Sequence, residues 1–363
     1  MEIGIIGLPE SGKTTVFNAL TRGRADVAAY GDKPNVGVAP VPDARLDRLA
    51  ELYAPRNPVS ATVSYVDIPP PATPSGRIRG ISGQYLNDLQ RVDALLIVAR
   101  AFNDDAVLHI DGSVDPFRDV ENMMLELLFS DLELLERRLQ RLDESFKGAQ
   151  ATQRDLINKE YYLLERIKRH LEGETPIRDQ EFTPDQAQRI RGFQFLTSKP
   201  LIVLLNIDED DLDEAGSFEE RLTEAVQGPS VRAATICGKL EMDLAQMDAE
   251  EEAEFREAVG AGESGMNRII RLSYDVVGLI TFLTIGDDEV RAWELPKGTT
   301  ASRAAGKIHT DFEQGFIRAE VVPFDDLVAC GGFAEARKRG VLRQEGKDYL
   351  VQDGDVMHVL FNL

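Results

Sequence analysis

Gly7-Leu8-Pro9-Glu10-Ser11-Gly12-Lys13-Thr14 decides how this chain folds. The eight residues satisfy G-x-x-x-x-G-K-[ST]; Ile3-Gly4-Ile5-Ile6 enters them as a strand and Thr15-Val16-Phe17-Asn18-Ala19-Leu20 leaves as a helix. Strand, loop and helix together make this a phosphate-binding loop rather than a glycine-rich turn with a surface lysine. Main-chain N–H groups ahead of a helix N-terminus point at phosphates, so Gly7, Glu10, Ser11, Gly12, Lys13, Thr14 and Thr15 are the expected phosphate-side residues. Lys13 supplies a point charge to the β and γ groups, and the Thr14 hydroxyl can ligate Mg²⁺. Asp67, ending the strand that begins at Thr62, is the expected second carboxylate for that ion, through water.

Outward from the loop, apolar runs at Thr62 to Ile68 and Ala94 to Ala101 alternate with helical patterns at Thr14 to Leu20 and Ser82 to Leu89. Such alternation predicts a parallel α/β sheet. Leu201 to Asn206 and Ala233 to Cys237 resume the strand pattern after a long interruption. In that interruption, Phe117 to Thr197, apolar residues step by three or four through Met124, Leu128, Leu132, Leu135, Leu139, Leu142 and Phe146. Ile157, Tyr161, Leu164 and Leu171 form a second stripe, and Lys147 to Gln150 can turn between them. The spacing predicts an antiparallel helical arm. After Leu279 short strands with turns predict a small α+β domain, with a helix at Ala301 to Thr310 and Asp353-Gly354 turning between Tyr349-Leu350-Val351 and Val356 to Phe361. The expected division is 1–116 with 198–278, 117–197, and 279–363.

The 41 basic and 63 acidic residues give a net charge of −22. Residues 207–263 hold 18 acidic against 4 basic side chains, a net of −14. A chain this acidic does not coat nucleic acid through a general field, since that affinity comes from cations neutralising phosphates. DNA is therefore not an expected partner, and any RNA contact must be local, through the arm or the C-terminal domain. The clusters Arg137/Arg138/Arg141 and Arg166/Lys168/Arg169 are interleaved with Glu133, Glu136 and Glu165, the pattern of a solvated face. No apolar run approaches the roughly 20 residues of a membrane-spanning helix. No signal-peptide pattern opens the chain, so cytoplasm without membrane is the expected location. Cys237 and Cys330 read as reduced, buried thiols.

Asn206-Ile207-Asp208-Glu209 ends its strand where guanine-specific switches carry Asn-Lys-x-Asp. Ile207 replaces the lysine and Glu209 the shorter aspartate, so a bidentate grip on guanine is weakened. Asn206, Ile207 and Glu209 are the expected base-side residues.

Here the residues resemble the YchF or Obg-like ATPase family, nearly end to end. Beyond the loop the likeness rests on Pro34-Asn35-Val36-Gly37-Val38, Pro40-Val41-Pro42-Asp43 and His109-Ile110-Asp111-Gly112-Ser113-Val114-Asp115-Pro116. It continues through Val290-Arg291-Ala292-Trp293, His309-Thr310-Asp311-Phe312-Glu313, Gly315 to Glu320 and Gln352 to His358. The resemblance implies a P-loop NTPase sheet, a coiled-coil insertion and a C-terminal β-grasp (TGS) domain. It further implies ATP taken ahead of GTP, with Mg²⁺, and association with ribosomes. His109 occupies the place of a histidine considered in this family as a substitute for the water-orienting glutamine.

Three departures fall on the γ-phosphate apparatus. Tyr30-Gly31-Asp32-Lys33 runs straight into Pro34 without the family's threonine, and no threonine lies between Thr21 and Thr62. Asp67-Ile68-Pro69-Pro70-Pro71 stands where Asp-x-x-Gly is expected, and Pro70 has no N–H to donate. Glu10 replaces an asparagine. Asp32, Ser75 or neighbouring main chain could take over the lost roles. Two classes of function follow, a slow, monomeric, ribosome-associated ATPase and a binding module with nucleotide as static ligand. A third reading is a guanine-specific GTPase.

Overall fold

Ile3, Ile5 and Ile6 are completely buried, as are nearly all side chains between Ala94 and Arg100 and between Leu201 and Asn206, so the apolar runs become central strands closed on both faces. The computed structural model describes residues 1–23, 34–69, 81–104, 106–259, 262–286 and 288–362. In chain order come β1 (Glu2–Ile6), α1 (Lys13–Thr21), β2 (Asn35–Pro40), α2 (Ala44–Tyr53), β3 (Asn57–Val59), β4 (Thr62–Asp67), α3 (Gly83–Arg91) and β5 (Ala94–Arg100). Next are α4 (Pro116–Gly148), α5 (Ala151–Glu172), α6 (Pro184–Arg191), β6 (Leu201–Asn206), α7 (Ala215–Ala225), β7 (Val231–Ile236), α8 (Gly238–Leu244), α9 (Ala249–Val259) and α10 (Gly265–Val276). The chain closes with β8 (Leu279–Ile285), β9 (Glu289–Pro296), α11 (Ala301–Ile308), α12 (Thr310–Gln314), β10 (Phe316–Pro323), α13 (Phe324–Cys330), α14 (Phe333–Lys338), β11 (Arg343–Glu345) and β12 (Asp355–Phe361).

The first sheet has the order β2-β4-β1-β5-β6-β7. β1 lies parallel to β4 and β5, and β6 parallel to β5 and β7, as the alternation predicts. Crossover helices cover it, and Tyr85, Leu89, Val120, Met123 and Leu127 complete one side of its core.

The insertion is the expected arm. Asp115 caps α4 by accepting from Arg118 N at 3.2 Å, and Pro116 fills the first turn, where no N–H is needed. Leu128, Leu135, Leu139 and Leu142 pack against Leu163, Leu164, Ile167 and Leu171. At the root, Asp131 is buried and accepts from Leu196 N (2.9 Å), Thr197 N (2.7 Å) and Thr197 Oγ1 (2.7 Å). Burial nevertheless wins over these three donors and pushes its carboxyl up to about 6.

Contacts divide the chain into two units, Met1–Gly37 with Ser64–Ile269, and Val38–Val63 with Ile270–Leu363. This grouping differs from the division expected from sequence by placing 38–63 and 270–278 with the C-terminal residues. The reason is packing within the second unit. Its sheet has the order β11-β10-β12-β8-β9-β3, and β3 joins β9 in parallel. α2 packs on β9 and α13, burying Leu46 and Leu49. α11 supplies Ala301 and Ala304 to a core with Phe282, Leu295, Ala319 and Val321.

Three expectations are corrected here. Asp353-Gly354 turns, with Gly354 at φ 82°, but joins no hairpin: Tyr349-Leu350-Val351 forms only a bridge from Leu350 to Thr300, while β12 pairs with β10 and β8. The side chains explain it, since Asp353 accepts from Thr281 N (2.8 Å) and Arg45 Nη1 (2.7 Å) instead of organising a two-strand turn. The helix at Ala301 to Thr310 breaks at His309, which is extended and caps α12 by accepting from Asp311 N at 3.2 Å. Cys237 is buried, whereas Cys330 is only half-buried. Among the described residues no helix is long and apolar enough to cross a membrane.

Candidate functional site

β1 ends at Ile6 and Gly7 follows, where a Cβ would lie 2.3 Å from Val98 O, so the loop can leave the sheet only through glycine. Gly12 caps α1 at φ 87°, and a Cβ there would lie 2.2 Å from Asn206 Nδ2. Among the described residues no side chain caps α1, and no acid stands in its first turn, leaving its N-terminus open to an anion. Ser11 Oγ is buried without a hydrogen-bond partner among the described residues, a polar atom in want of a ligand or water. Glu10 is exposed at φ 62°, and Thr15 is half-buried in the first turn.

Lys13 donates from Nζ to Leu8 O at 2.7 Å, a placement along the loop itself. Burial lowers its pKa to about 8, although Asp67 and Glu10 both pull upward. Thr14 Oγ1 donates to Asp67 Oδ2 at 2.8 Å, so the two expected Mg²⁺ residues stand together. Hydroxyl and carboxylate are hard oxygen donors that fit Mg²⁺. Among the described residues no group of three or more His, Cys, Asp or Glu could hold a metal, so such an ion needs the oxygens of a bound phosphate as well.

The expected base-side residues occupy three different environments. Asn206 is buried at the end of β6, donating from Nδ2 to Ser11 O (3.1 Å) and accepting at Oδ1 from Gly238 N (2.9 Å). It fastens the phosphate loop to the start of α8. Ile207 lies in the core with its N–H on Ile236 O at 2.9 Å. Glu209 is exposed, its N–H held by Asp208 Oδ1 at 2.7 Å. Sequence reasoning missed Cys237-Gly238, brought beside Asn206; the small residue directly after a buried strand was the available signal. A Cβ on Gly238 would lie 2.9 Å from Asn206 Oδ1.

His109 lines a narrow cavity with Leu8, Pro9, Ser11, Arg100 and Asp119. Its Nε2 is 2.8 Å from Asp119 Oδ2, and its Nδ1 accepts from Asp111 N at 3.1 Å. Arg100, also missed, is buried and donates to the carbonyls of Phe102 (3.1 Å), Val107 (3.0 Å) and Asp104 (3.3 Å), holding the segment that leads to His109. The expectations at Tyr30 to Lys33, Pro70, Pro71 and Ser75 lie outside the described residues.

With this geometry in view, residues 2–130 match the family described as 50S ribosome-binding GTPase, and residues 279–362 match the C-terminal YchF-GTPase family, described as a protein of unknown function. The chain is 40% identical to a Bacillus subtilis protein called ribosome-binding ATPase YchF, covering 99% of each. It is 38% identical to the Escherichia coli O157:H7 protein of the same name, again over 99% of each. The solved Schizosaccharomyces pombe YchF GTPase superposes with a TM-score of 0.86 at 31% identity, over 99% of this chain and 97% of that one.

Proposed function

The chain belongs to the YchF family, and from that premise we propose that it binds ATP ahead of GTP with Mg²⁺, hydrolyses it slowly, and acts in association with the ribosome. The observation that carries this reading is the phosphate loop with Lys13 lying along it and Thr14 joined to Asp67. In this reading Gly7, Glu10, Ser11, Gly12, Lys13, Thr14 and Thr15 surround the phosphates, and Thr14 and Asp67 hold Mg²⁺. The ion, when bound, neutralises charge developing on the β and γ oxygens. Asn206, Ile207 and Glu209 frame the base. Ile207 offers no cation and Glu209 is a methylene longer than the usual aspartate, which disfavours a guanine-specific site. His109 orients the attacking water.

The relatives are called ribosome-binding, and the paired cations of the arm bear on where such a contact lies. Arg138 pairs with Glu160 (2.7 Å), Lys168 with Glu136 (3.1 Å), and Arg166 lies over Phe182. A local rRNA contact therefore falls to the remaining arm cations, such as Arg141 and Arg169, or to the TGS-like C-terminal residues. The protein acts as a cytoplasmic monomer with nucleotide, arm and TGS-like domains.

Titration calorimetry with ATP and GTP, each with and without Mg²⁺, tests the reading. ATP should bind at least tenfold tighter than GTP, about 1.4 kcal/mol, and Lys13→Ala should remove binding of both. Absence of saturable binding at millimolar ATP overturns it. Pro70 favours a second reading, a nucleotide-bound module without turnover, because the usual γ-phosphate N–H donor is missing there. Magnesium-dependent phosphate release that Lys13→Ala abolishes excludes that module.

A further inference from the structure

The side chain facing His109 is Asp119, in the first turn of α4. We propose that Asp119 is a positioning residue that fixes the tautomer of His109, an inference that rests on His109 orienting the attacking water. Both carry almost no exposure, 5% and 3% of their side-chain surfaces. Nδ1 accepts from the Asp111 N–H, so in neutral imidazole it is the unprotonated nitrogen and Nε2–H donates to Asp119 Oδ2. Asp119 is itself oriented: Arg118 donates to its Oδ1 from Nε (3.1 Å) and Nη2 (2.9 Å), and Arg118 is tied to Ser113 O at 2.8 Å. Oδ1 and Oδ2 therefore serve different partners. With Nε2 committed, Nδ1 is the one nitrogen able to accept from a water, and the Asp111 N–H occupies its lone pair in the structure. When a water donor takes the place of that amide, Nδ1 is still the acceptor and the tautomer is unchanged.

Asp119→Asn separates positioning from mere packing. Arg118 holds the Oδ1 position with two donors, so the amide oxygen of the variant settles there and its NH₂ faces Nε2. That arrangement favours the wrong, Nδ1–H, tautomer, which opposes the Asp111 N–H. Among only four histidines, the ¹⁵N resonances of His109 can be assigned by His109→Gln. The wild type should show Nε2 protonated and Nδ1 bare, and Asp119→Asn should invert or mix them. Turnover of ATP should fall roughly 10²-fold in kcat, the lower range for one acid–base group, with KM within about twofold. The double variant with His109→Ala should be no slower than His109→Ala alone. Wild-type kcat in Asp119→Asn, losses that multiply in the double variant, or a wild-type Nδ1–H tautomer each overturn the proposal. If the wild type hydrolyses no ATP, the hydrolytic reading fails, and the ¹⁵N spectrum still decides the tautomer. If Asp119→Asn does not fold, the wild-type spectrum decides in the same way.

Discussion

Gly12 meets two demands with one missing Cβ: a left-handed backbone and an asparagine amide against its α-carbon. Gly12→Ala should lose ATP binding by calorimetry and also melt lower, because the strained φ costs roughly 1–2 kcal/mol before Asn206 moves. Asn206→Ala removes the partner of Gly238 N and Ser11 O, both inside the unit. Chemical denaturation should report a loss of about 1–3 kcal/mol, the desolvation penalty of a stranded polar group. Asp131 gives the pH dependence its sign. Its carboxyl titrates at about 6, above the ordinary 3.8, so its contribution is full below about pH 4 and is lost as pH rises through about 6. Between those limits it is worth on the order of 2–3 kcal/mol. Urea unfolding should therefore show wild type losing stability from pH 4 to pH 7 more steeply than Asp131→Asn, and equal slopes would refute the assignment.

At the scale of elements, the arm has its own core, and Leu135 is completely buried in it. Leu135→Ala should destabilise the arm by about 2–5 kcal/mol and expose it to limited proteolysis while ATP affinity stays unchanged. Loss of binding together with the arm would show that the two are one cooperative unit. The same arm explains what was legible in the sequence. Steps of three and four from Met124 to Phe146 and a Lys147-Gly148 break are local signals, as are the buried runs of β1, β5 and β6. None of α7 to α10 was legible; in α9, which opens on Glu250, Glu251 and Glu252, exposed glutamates blur the apolar stripe. β3 is three residues long and contains Pro58, so its pairing with β9 had no sequence signature. Likewise the phosphate loop was readable as an octapeptide. The role of Asn206 as its fastener was not, since Asn206 and Ser11 stand 195 residues apart.

The acidic excess has a physical counterpart across the molecule. Exposed carboxylates at Glu209, Glu220, Glu224, Glu250, Glu251 and Glu254 face solvent, while the buried Glu241 takes two donors from Arg256 at 3.0 and 2.6 Å. Solvated charge of one sign adds solubility but little to folding. Stability must therefore come from burial, and in the second unit that burial is supplied by residues far apart in sequence. Leu46 and Leu49 of α2 are buried, β3 closes the sheet edge at β9, and Arg45 joins Asp43 (2.8 Å) to Asp353 (2.7 Å). A fragment 279–363, which keeps the whole C-terminal family match, loses all of these. Its uncovered sheet face should bind a hydrophobic dye and melt without cooperativity, whereas the same fragment preceded by 38–63 through a flexible linker should melt cooperatively. Leu49→Ala in the full chain should weaken that unit by about 2–5 kcal/mol. A dispersed amide spectrum from 279–363 alone would show that α2 and β3 are dispensable. The physical expectation is the reverse, because without α2 the sheet at β9 loses its cover and the remaining burial cannot offset the entropy of ordering its strands.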